Sequence, residues 1–473
     1  MNIQQALREK WYSQGFNSTP LLLGTAGDCV FMKNATGITY RNFFCVYKDD
    51  YGDMGYLARD LEELGKAIEK FLSIDKNYFQ KIRRIYMLDI KDSKKIFKKI
   101  DKTNLKDLSD KEIIDLLNIT SVRLSASVGA AHIIEAFVLT TDIKIKQELG
   151  RYIKDSRELN SIFALLMSPI KESFVNEYEK GLIRIAKEKD KKKRHDLIGA
   201  QAKNFSWIRN SYAGKHVLTK QEIEEEAKSV KENKQADFKD IIQEKNIIIK
   251  RFNLPEKLVK NIKATEFLTT WQDERKENIL TAIDYVEKIL AEISRRVKVD
   301  IRYLRYAAPR EISFENIRSE KFHKQLIERK QGCIYLYDLK KPIIVSGDEY
   351  KKVVAKLQQK KQIELKELTG MTASTGTAVG RVKVCSTIDS LKKVQEGDIL
   401  VASMTRPEYV PAMRKAAAII TDEGGITCHA AIISRELGIP CIIGTKIATK
   451  VLKDNDLVEI KGNHGLIIIL KRA

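Results

Sequence analysis

Residues 421–440 read TDEGGITCHAAIISRELGIP, and this stretch decides how the rest of the chain is interpreted. Before it, the apolar run 416–420 has the length of a β-strand, and the glycine pair 424–425 supplies a turn with free backbone geometry. After the turn, apolar residues recur at helical spacing as far as Gly438, where the helix is expected to end. The pattern predicts a strand, a glycine turn and a helix whose first turn contains His429.

His429 is predicted to occupy a helix position that suits a negatively charged group. The N–H groups of a first helical turn have no partners within the helix and lie at the positive end of its dipole. An anion at such a position is stabilised by about 0.3–1 kcal/mol. A histidine that carries a phosphoryl group would benefit from this position. The alternative interpretations are a helix-capping histidine and a core histidine.

The composition is that of a globular protein with several domains. With 473 residues, 43% of them hydrophobic, the chain can form two to four domains. The six cysteines are scattered without a Cys-x-x-Cys pair, so we expect reduced thiols and neither a zinc site nor disulfides. No uncharged apolar run approaches the roughly 18–20 residues that span a membrane, and the N-terminus has no leader pattern. We therefore expect a cytoplasmic protein without a membrane partner.

The net charge of +21 raises the question of nucleic-acid binding. The 85 Lys and Arg residues are mixed with 64 Asp and Glu residues along most of the chain, as on solvated helix faces. No motif of a nucleic-acid-binding module accompanies them. We do not expect a nucleic-acid partner, and binding through the basic helices stays an alternative that salt-sensitive binding would reveal.

The pattern divides the chain into four parts. Residues 1–50 are predicted to form an N-terminal helix and a β-hairpin, and residues 51–330 a helical domain. Residues 331–367 are assigned to a linker region, although part of this stretch alternates like strands. Residues 368–473 are predicted to form a compact α/β domain.

Within the first two parts, three features set the expected boundaries. The first helix is expected within residues 1–15. The hairpin is expected from residues 29–33 and 38–47, joined by a turn at 34–37. A helix start is expected at Asp110, where acidic residues open an apolar periodic run.

The last part alternates short strands with two helices. The predicted strands and helices are strands at 381–385, 398–402, 417–420, 441–443, 457–460 and 466–470, and helices at 410–415 and 429–437.

The segment from Gly370 to the C-terminus resembles the phosphohistidine swivel domain, also called the mobile domain, of phosphoenolpyruvate synthase, pyruvate phosphate dikinase and rifampin phosphotransferase. The resemblance is carried by the glycine-rich stretch 370–380, by 397–401, by Thr405 with its following Arg-Pro, and by 416–444. It implies the fold class multidomain α + α/β, with a largely helical N-terminal region, a small β-hairpin and a compact swivelling β/β/α phosphohistidine domain.

The resemblance also implies roles for individual residues. His429 would carry the phosphoryl group, and Thr427 would steady the imidazole or its phosphate by hydrogen bonding. Gly424 and Gly425 would let the backbone approach the phosphate. Arg435 would be a further phosphate ligand, with a structural ion pair as the alternative.

No upstream stretch resembles an ATP-grasp domain, and no phosphoenolpyruvate-binding barrel is recognised. The resemblance therefore implies a separate ATP-grasp partner of the pyruvate-binding type, which would bind ATP and Mg²⁺ and charge His429. This chain is expected to bind neither tightly by itself. It would act as a phosphotransferase subunit that passes a phosphoryl or pyrophosphoryl group to a small-molecule acceptor. The alternative is a phosphohistidine-based regulatory or interaction protein without catalytic turnover of its own.

The helical part more loosely resembles the region that precedes the swivel domain in rifampin phosphotransferase-like proteins, where it shapes the acceptor site. Three aromatic residues of this part, Trp207, Tyr212 and Trp271, are therefore candidates for acceptor binding. Aromatic residues at helical spacing more often form core than ligand contacts, and core packing is the competing interpretation for all three.

Overall fold

The structure is a computed structural model that describes residues 1–24, 30–230, 238–338, 342–358, 367–426 and 428–473. Its strands are β1 (Trp11–Asn17), β2 (Asn42–Lys48), β3 (Tyr51–Leu57), β4 (Cys333–Asp338), β5 (Ile343–Ser346), β6 (Glu367–Thr369), β7 (Met371–Ser374), β8 (Thr377–Val384), β9 (Ile399–Ala402), β10 (Ala418–Thr421), β11 (Cys441–Ile443), β12 (Leu457–Lys461) and β13 (Leu466–Lys471). Short 3₁₀ turns lie at Leu105–Asp107, Pro309–Glu311, Asp389–Lys393, Pro407–Tyr409 and Gly462–His464.

Its α-helices are α1 (Ile3–Ala6), α2 (Pro20–Gly24), α3 (Val30–Thr36), α4 (Ala58–Ile74), α5 (Tyr78–Lys102), α6 (Asp110–Leu149), α7 (Ser156–Leu166), α8 (Phe174–Lys187), α9 (Lys191–Asn204), α10 (Lys220–Ser229), α11 (Phe238–Arg251), α12 (Glu256–Val297), α13 (Ile301–Leu304), α14 (Phe314–Ile317), α15 (Glu320–Gln331), α16 (Gly347–Gln358), α17 (Val410–Met413), α18 (His429–Leu437) and α19 (Ala448–Val451). The fold is thus helical with mixed sheets, as the sequence predicts.

The chain forms two compact units, each built from three segments. The first unit comprises Met1–Phe137, Arg209–His216 and Arg275–Gln362, and the second comprises Val138–Ile208, Val217–Glu274 and Ile363–Ala473. The second unit contains His429, so its strands and helices decide how the candidate site is built.

The first unit contains an antiparallel sheet with strand order β1-β3-β2-β4-β5. Buried apolar residues of β2, β4, β5 and α16 form a core with α1. The stretch that the sequence assigned to a linker region therefore contributes two strands and a helix to this unit. Its alternating β-branched and aromatic residues suit the pleated surface of a sheet.

The N-terminal hairpin differs from the predicted one. Residues 30–36 form helix α3 instead of a strand, and β2 and β3 form the hairpin through Asp49 and Asp50, whose φ angles are 50° and 61°. A short apolar run can form either a strand or a buried helix turn, and periodicity alone does not separate them. Two successive positive φ angles match the right-handed twist of a hairpin, and aspartate tolerates them. Cys29, the first residue of the predicted strand, lies outside the described residues.

The predicted helix at 1–15 is also only partly correct. Helix α1 covers Ile3–Ala6, and the chain is already in strand β1 from Trp11. The Trp11 indole N–H donates to the Ala6 carbonyl over 2.7 Å, which closes the turn between the two elements.

The long helix α6 begins at Asp110, as predicted. By length and composition alone, this helix could cross a membrane, although no such helix is predicted from the sequence. In the structure 72% of its most apolar window is buried inside the fold. This burial is typical of a core helix in a globular protein.

The second unit contains a mixed sheet of eight strands, in the order β6-β13-β12-β8-β9-β10-β11-β7. Strands β8, β9, β10 and β11 pair in parallel, and the flanking pairs are antiparallel. Fully buried Val, Ile and Ala side chains of these strands form one core cluster with α19. The six predicted strands correspond to β8 to β13, whereas β6 and β7 were not predicted.

Gly380 tests how tightly this sheet is packed. A Cβ atom there would lie 2.5 Å from the Gly397 carbonyl oxygen and 3.1 Å from Ile399 Cδ1. Because a backbone atom cannot move aside cheaply, we expect Gly380→Ala to lower the free energy of unfolding by about 1–3 kcal/mol. Gly199→Ala in α9 is the matched control, since nothing lies within 4 Å of its Cβ position. The control should be neutral or stabilising by up to about 1 kcal/mol in denaturant unfolding. Equal effects of the two changes would contradict this interpretation.

Candidate functional site

The site lies where β10 leads through a loop into helix α18. The helix begins at His429 with Cys428 as N-cap, and it ends at Gly438, which adopts a left-handed conformation with φ of 67°. In the loop, Gly424 has φ of 114°, and a Cβ there would lie 2.7 Å from Cys428 Sγ. This position therefore requires glycine, and the predicted strand, turn and helix are confirmed.

Thr405 fixes one side of the His429 ring. Its hydroxyl lies 2.8 Å from Nδ1 of His429, and its side chain is only 4% exposed. A neutral imidazole carries its proton on one nitrogen, and a hydroxyl can either accept from Nδ1–H or donate to a bare Nδ1. When Nδ1–H donates to the Thr405 hydroxyl, the lone pair is on Nε2. Thr405 belongs to the residues that carry the sequence resemblance, but no role is predicted for it from the sequence.

Arg435 contacts the backbone of the same loop. Its Nη2 donates to the Ile426 carbonyl over 2.9 Å, one and a half turns along the helix from His429. Burial lowers the pKa of its guanidinium to about 10, because desolvation disfavours the charged form. The role of Arg435 as a phosphate ligand stays a prediction, and the observed contact is with the loop that precedes His429.

Asp142 of α6 also contacts this loop, although it is not predicted as a site residue from the sequence. Its Oδ2 accepts the Ile426 N–H over 3.1 Å, and its side chain is 1% exposed. Burial raises the pKa of this carboxyl to about 7, while the Ile426 N–H and the charge of Arg435 oppose the rise. The available signal was a single acidic residue inside the apolar helical run 136–143.

Residues 394–465 match the mobile domain of PEP-utilising enzymes. The matched residues include Thr405, Gly424, Gly425, His429 and Arg435. The mobile-domain match was expected from the resemblance of the sequence, and it covers the strands and the helix that build the candidate site.

Curated relatives match only part of this chain and only a small part of their own length. A probable phosphoenolpyruvate synthase of Methanothermobacter thermautotrophicus is 62% identical over 98 residues, which is 21% of this chain and 14% of that protein. A probable phosphoenolpyruvate synthase of Archaeoglobus fulgidus is 48% identical over 136 residues, which is 29% of this chain and 18% of that protein. An uncharacterized phosphotransferase of Bacillus subtilis, YvkC, is 37% identical over 156 residues, which is 33% of this chain and 18% of that protein. The chain thus spans less than a fifth of the length of these relatives.

Glu436, in the last turn of α18, has a perturbed acidity. Burial raises the pKa of its carboxyl to about 8, and Glu179 and Asp273 add to the rise, whereas Asn176 and Arg435 oppose it. Its Oε2 is buried without a hydrogen-bond partner among the described residues. The neutral form is therefore favoured near pH 7.

Because the pKa of Glu436 is raised in the folded protein, we expect its contribution to the free energy of unfolding to depend on pH. This contribution is complete below the ordinary carboxyl pKa of about 4, and it is lost as pH rises through about 8. We expect Glu436→Gln to reduce the fall in unfolding free energy between pH 6 and about pH 9. Denaturant unfolding at several pH values measures this difference. Parallel pH profiles of variant and wild type would show that Glu436 is not the group that titrates.

The remaining predicted residues have different outcomes. Thr427 lies outside the described residues. Trp271 is fully buried, and Trp207 packs edge-on against Phe174 at 5.4 Å between ring centroids. Tyr212, 7% exposed, belongs to the first unit, whereas both tryptophans belong to the second. The three aromatic residues make core contacts, and their role in acceptor binding stays a prediction.

Proposed function

We propose that His429 carries a phosphoryl or pyrophosphoryl group between a donor and an acceptor. The observation that carries this proposal is the contact of Thr405 with Nδ1 of His429 at the first turn of α18. Because Nδ1 is engaged by the Thr405 hydroxyl, we assign nucleophilic attack to Nε2, within a segment that matches the mobile domain of PEP-utilising enzymes. The first-turn N–H groups of α18 would favour the negative charge that phosphorylation adds.

The chain's own part in the reaction follows from this arrangement. Nε2 of His429 attacks the phosphorus of the donor, and an Nε2–P bond forms as the P–O bond to the leaving nucleotide breaks. The leaving group is ADP for phosphoryl transfer and AMP for pyrophosphoryl transfer. An acceptor oxygen then attacks the same phosphorus, the N–P bond breaks, and its electron pair returns to Nε2. The proton of an acceptor hydroxyl goes to solvent.

In this proposal the donor is ATP, bound with Mg²⁺ on a separate ATP-grasp chain, and the acceptor is a small molecule. The names of the relatives support this class of reaction, since several are called phosphoenolpyruvate synthase and one a phosphotransferase. The family-model match, residues 394–465, contains His429.

The experiment mixes the purified chain with a candidate ATP-grasp partner and with radiolabelled ATP. We expect alkali-stable, acid-labile label on the chain, mapped to His429 by mass spectrometry. Label on another residue would contradict the assignment of the carrier. Absence of label with the partner and with a small chemical phosphoryl donor would contradict the whole proposal.

A further inference from the structure

The residue Ile426 is held from two sides just before the carrier helix. Asp142 of α6 accepts its N–H over 3.1 Å, and Arg435 of α18 donates to its carbonyl over 2.9 Å. Ile426 itself is fully buried. Loss of either hydrogen bond would therefore leave a buried backbone group unpaired. The backbone three residues before His429 is therefore fixed by one carboxyl and one guanidinium.

Helix α6 also approaches the glycine turn closely. A Cβ at Gly425 would lie 2.8 Å from Asp142 Oδ2 and 3.0 Å from Val138 Cγ1. Only a residue without a side chain allows this approach, so the second glycine of the pair serves contact with α6. The role in phosphate approach that the resemblance implies for both Gly424 and Gly425 stays a prediction.

We propose that Asp142 is a positioning residue for His429, which it holds in place through the backbone of the glycine turn. This inference rests on the proposed role of His429 as phosphoryl carrier. Asp142 acts on the loop and is not assigned any contact with the phosphoryl group. Without Asp142, the glycine turn would lose its hydrogen bond to α6. The position of the first turn of α18 would then no longer be fixed.

Ionisation of Asp142 is expected to weaken the attachment of the glycine turn to α6. The charged group that acts on it is Arg435 from α18, which itself lies near Cys428, Cys441, Glu436 and Lys245 of α11. Asp142 Oδ1 is buried without a hydrogen-bond partner among the described residues, so the neutral carboxyl suits the closed loop. Because its pKa is about 7 in the closed loop and about 4 in water, closure should weaken about tenfold from pH 6 to pH 8.

Two measurements on the full chain test the proposal. The first is hydrogen exchange of the Ile426 amide, corrected for intrinsic exchange, between pH 6 and pH 8. The second is the rate at which phosphoramidate, a small phosphoryl donor, phosphorylates His429. In that reaction an Nε2–P bond forms while the P–N bond of the donor breaks and ammonia leaves. Asp142→Asn keeps an acceptor oxygen without the charge, and Asp142→Ala removes the acceptor.

In wild type, protection of the Ile426 amide should fall about tenfold from pH 6 to pH 8. Asp142→Asn should keep protection and phosphorylation rate within about threefold of the wild type at pH 6 and lose the pH dependence. Asp142→Ala should lose protection and slow phosphorylation about tenfold. Asp115→Asn, an exposed acid of the same helix, should match the wild type in both measurements.

The two proposals fail separately. If Asp142→Ala keeps the protection and the rate of wild type, Asp142 does not position the loop, and the carrier role of His429 stands. The inference is wrong if the protection of the Ile426 amide in wild type does not change with pH, or if Asp142→Asn shows the same change as wild type. In either case the attachment of the loop does not depend on the charge of Asp142. If His429 is not phosphorylated by either donor, the carrier proposal fails, while the exchange data still decide whether Asp142 holds the loop.

Discussion

Replacement of His429 by asparagine is expected to reduce phosphoryl uptake by at least about 1,000-fold, to background, with both the partner and phosphoramidate. The reason is that the proposed function makes Nε2 the attacking atom, and an amide nitrogen has no comparable lone pair. Residue 429 is the first residue of α18, where the N–H has no partner within the helix, so α18 should persist. The rate of label incorporation is the measurement, and circular dichroism checks the fold.

His464→Asn is the matched control for this change. His464 lies in a 3₁₀ turn of the same part of the chain and is exposed. We expect uptake equal to that of wild type. Uptake by His429→Asn at more than about a tenth of the wild-type rate would show that another residue carries the label.

Replacement of Thr405 by valine has the second largest expected effect, a slowing of His429 phosphorylation by about 10- to 100-fold. Valine has nearly the same shape but cannot hydrogen-bond to Nδ1, which the threonine hydroxyl reaches at 2.8 Å. Without this bond the ring can rotate, so Nε2 has the orientation needed for attack in fewer of the molecules. The rate with phosphoramidate, measured at roughly pH 7–9, where a free imidazole is mostly neutral, reports the loss.

Thr405→Ser separates the hydrogen bond from the packing of the methyl group. Serine keeps the hydroxyl, so its rate should stay within about threefold of wild type. If valine and serine are equally slow, packing of the methyl group matters more than the bond to Nδ1. If valine matches wild type, the contact has no part in orienting the ring.

Local sequence predicted the elements around His429 closely. Helix α18 covers the predicted residues 429–437, and β11 the predicted residues 441–443. These elements have local causes: apolar spacing, a glycine turn before the helix and a left-handed Gly438 after it. Such signals are read within a few residues, so they are visible in the sequence alone.

The N-terminal part shows where local patterns mislead. Residues 30–36 are apolar enough for a strand but form helix α3, in which Met32 is fully buried. The choice depends on what packs around the segment, because a short buried run suits either conformation. For the same reason the sequence could not separate the linker interpretation of 333–358 from two strands and a helix.

The sequence by itself determined the strand, the glycine turn and the helix that place His429 in a first helical turn. Only the tertiary structure decided which side chains meet there. Thr405 lies 24 residues from His429, and Asp142 lies 284 residues from Ile426, yet each pair is joined by a hydrogen bond. Contacts over such separations depend on how strands and helices pack, and no spacing rule in the sequence reports them. The first-turn position of His429 was therefore predictable, whereas the contacts of Thr405 and Asp142 were not.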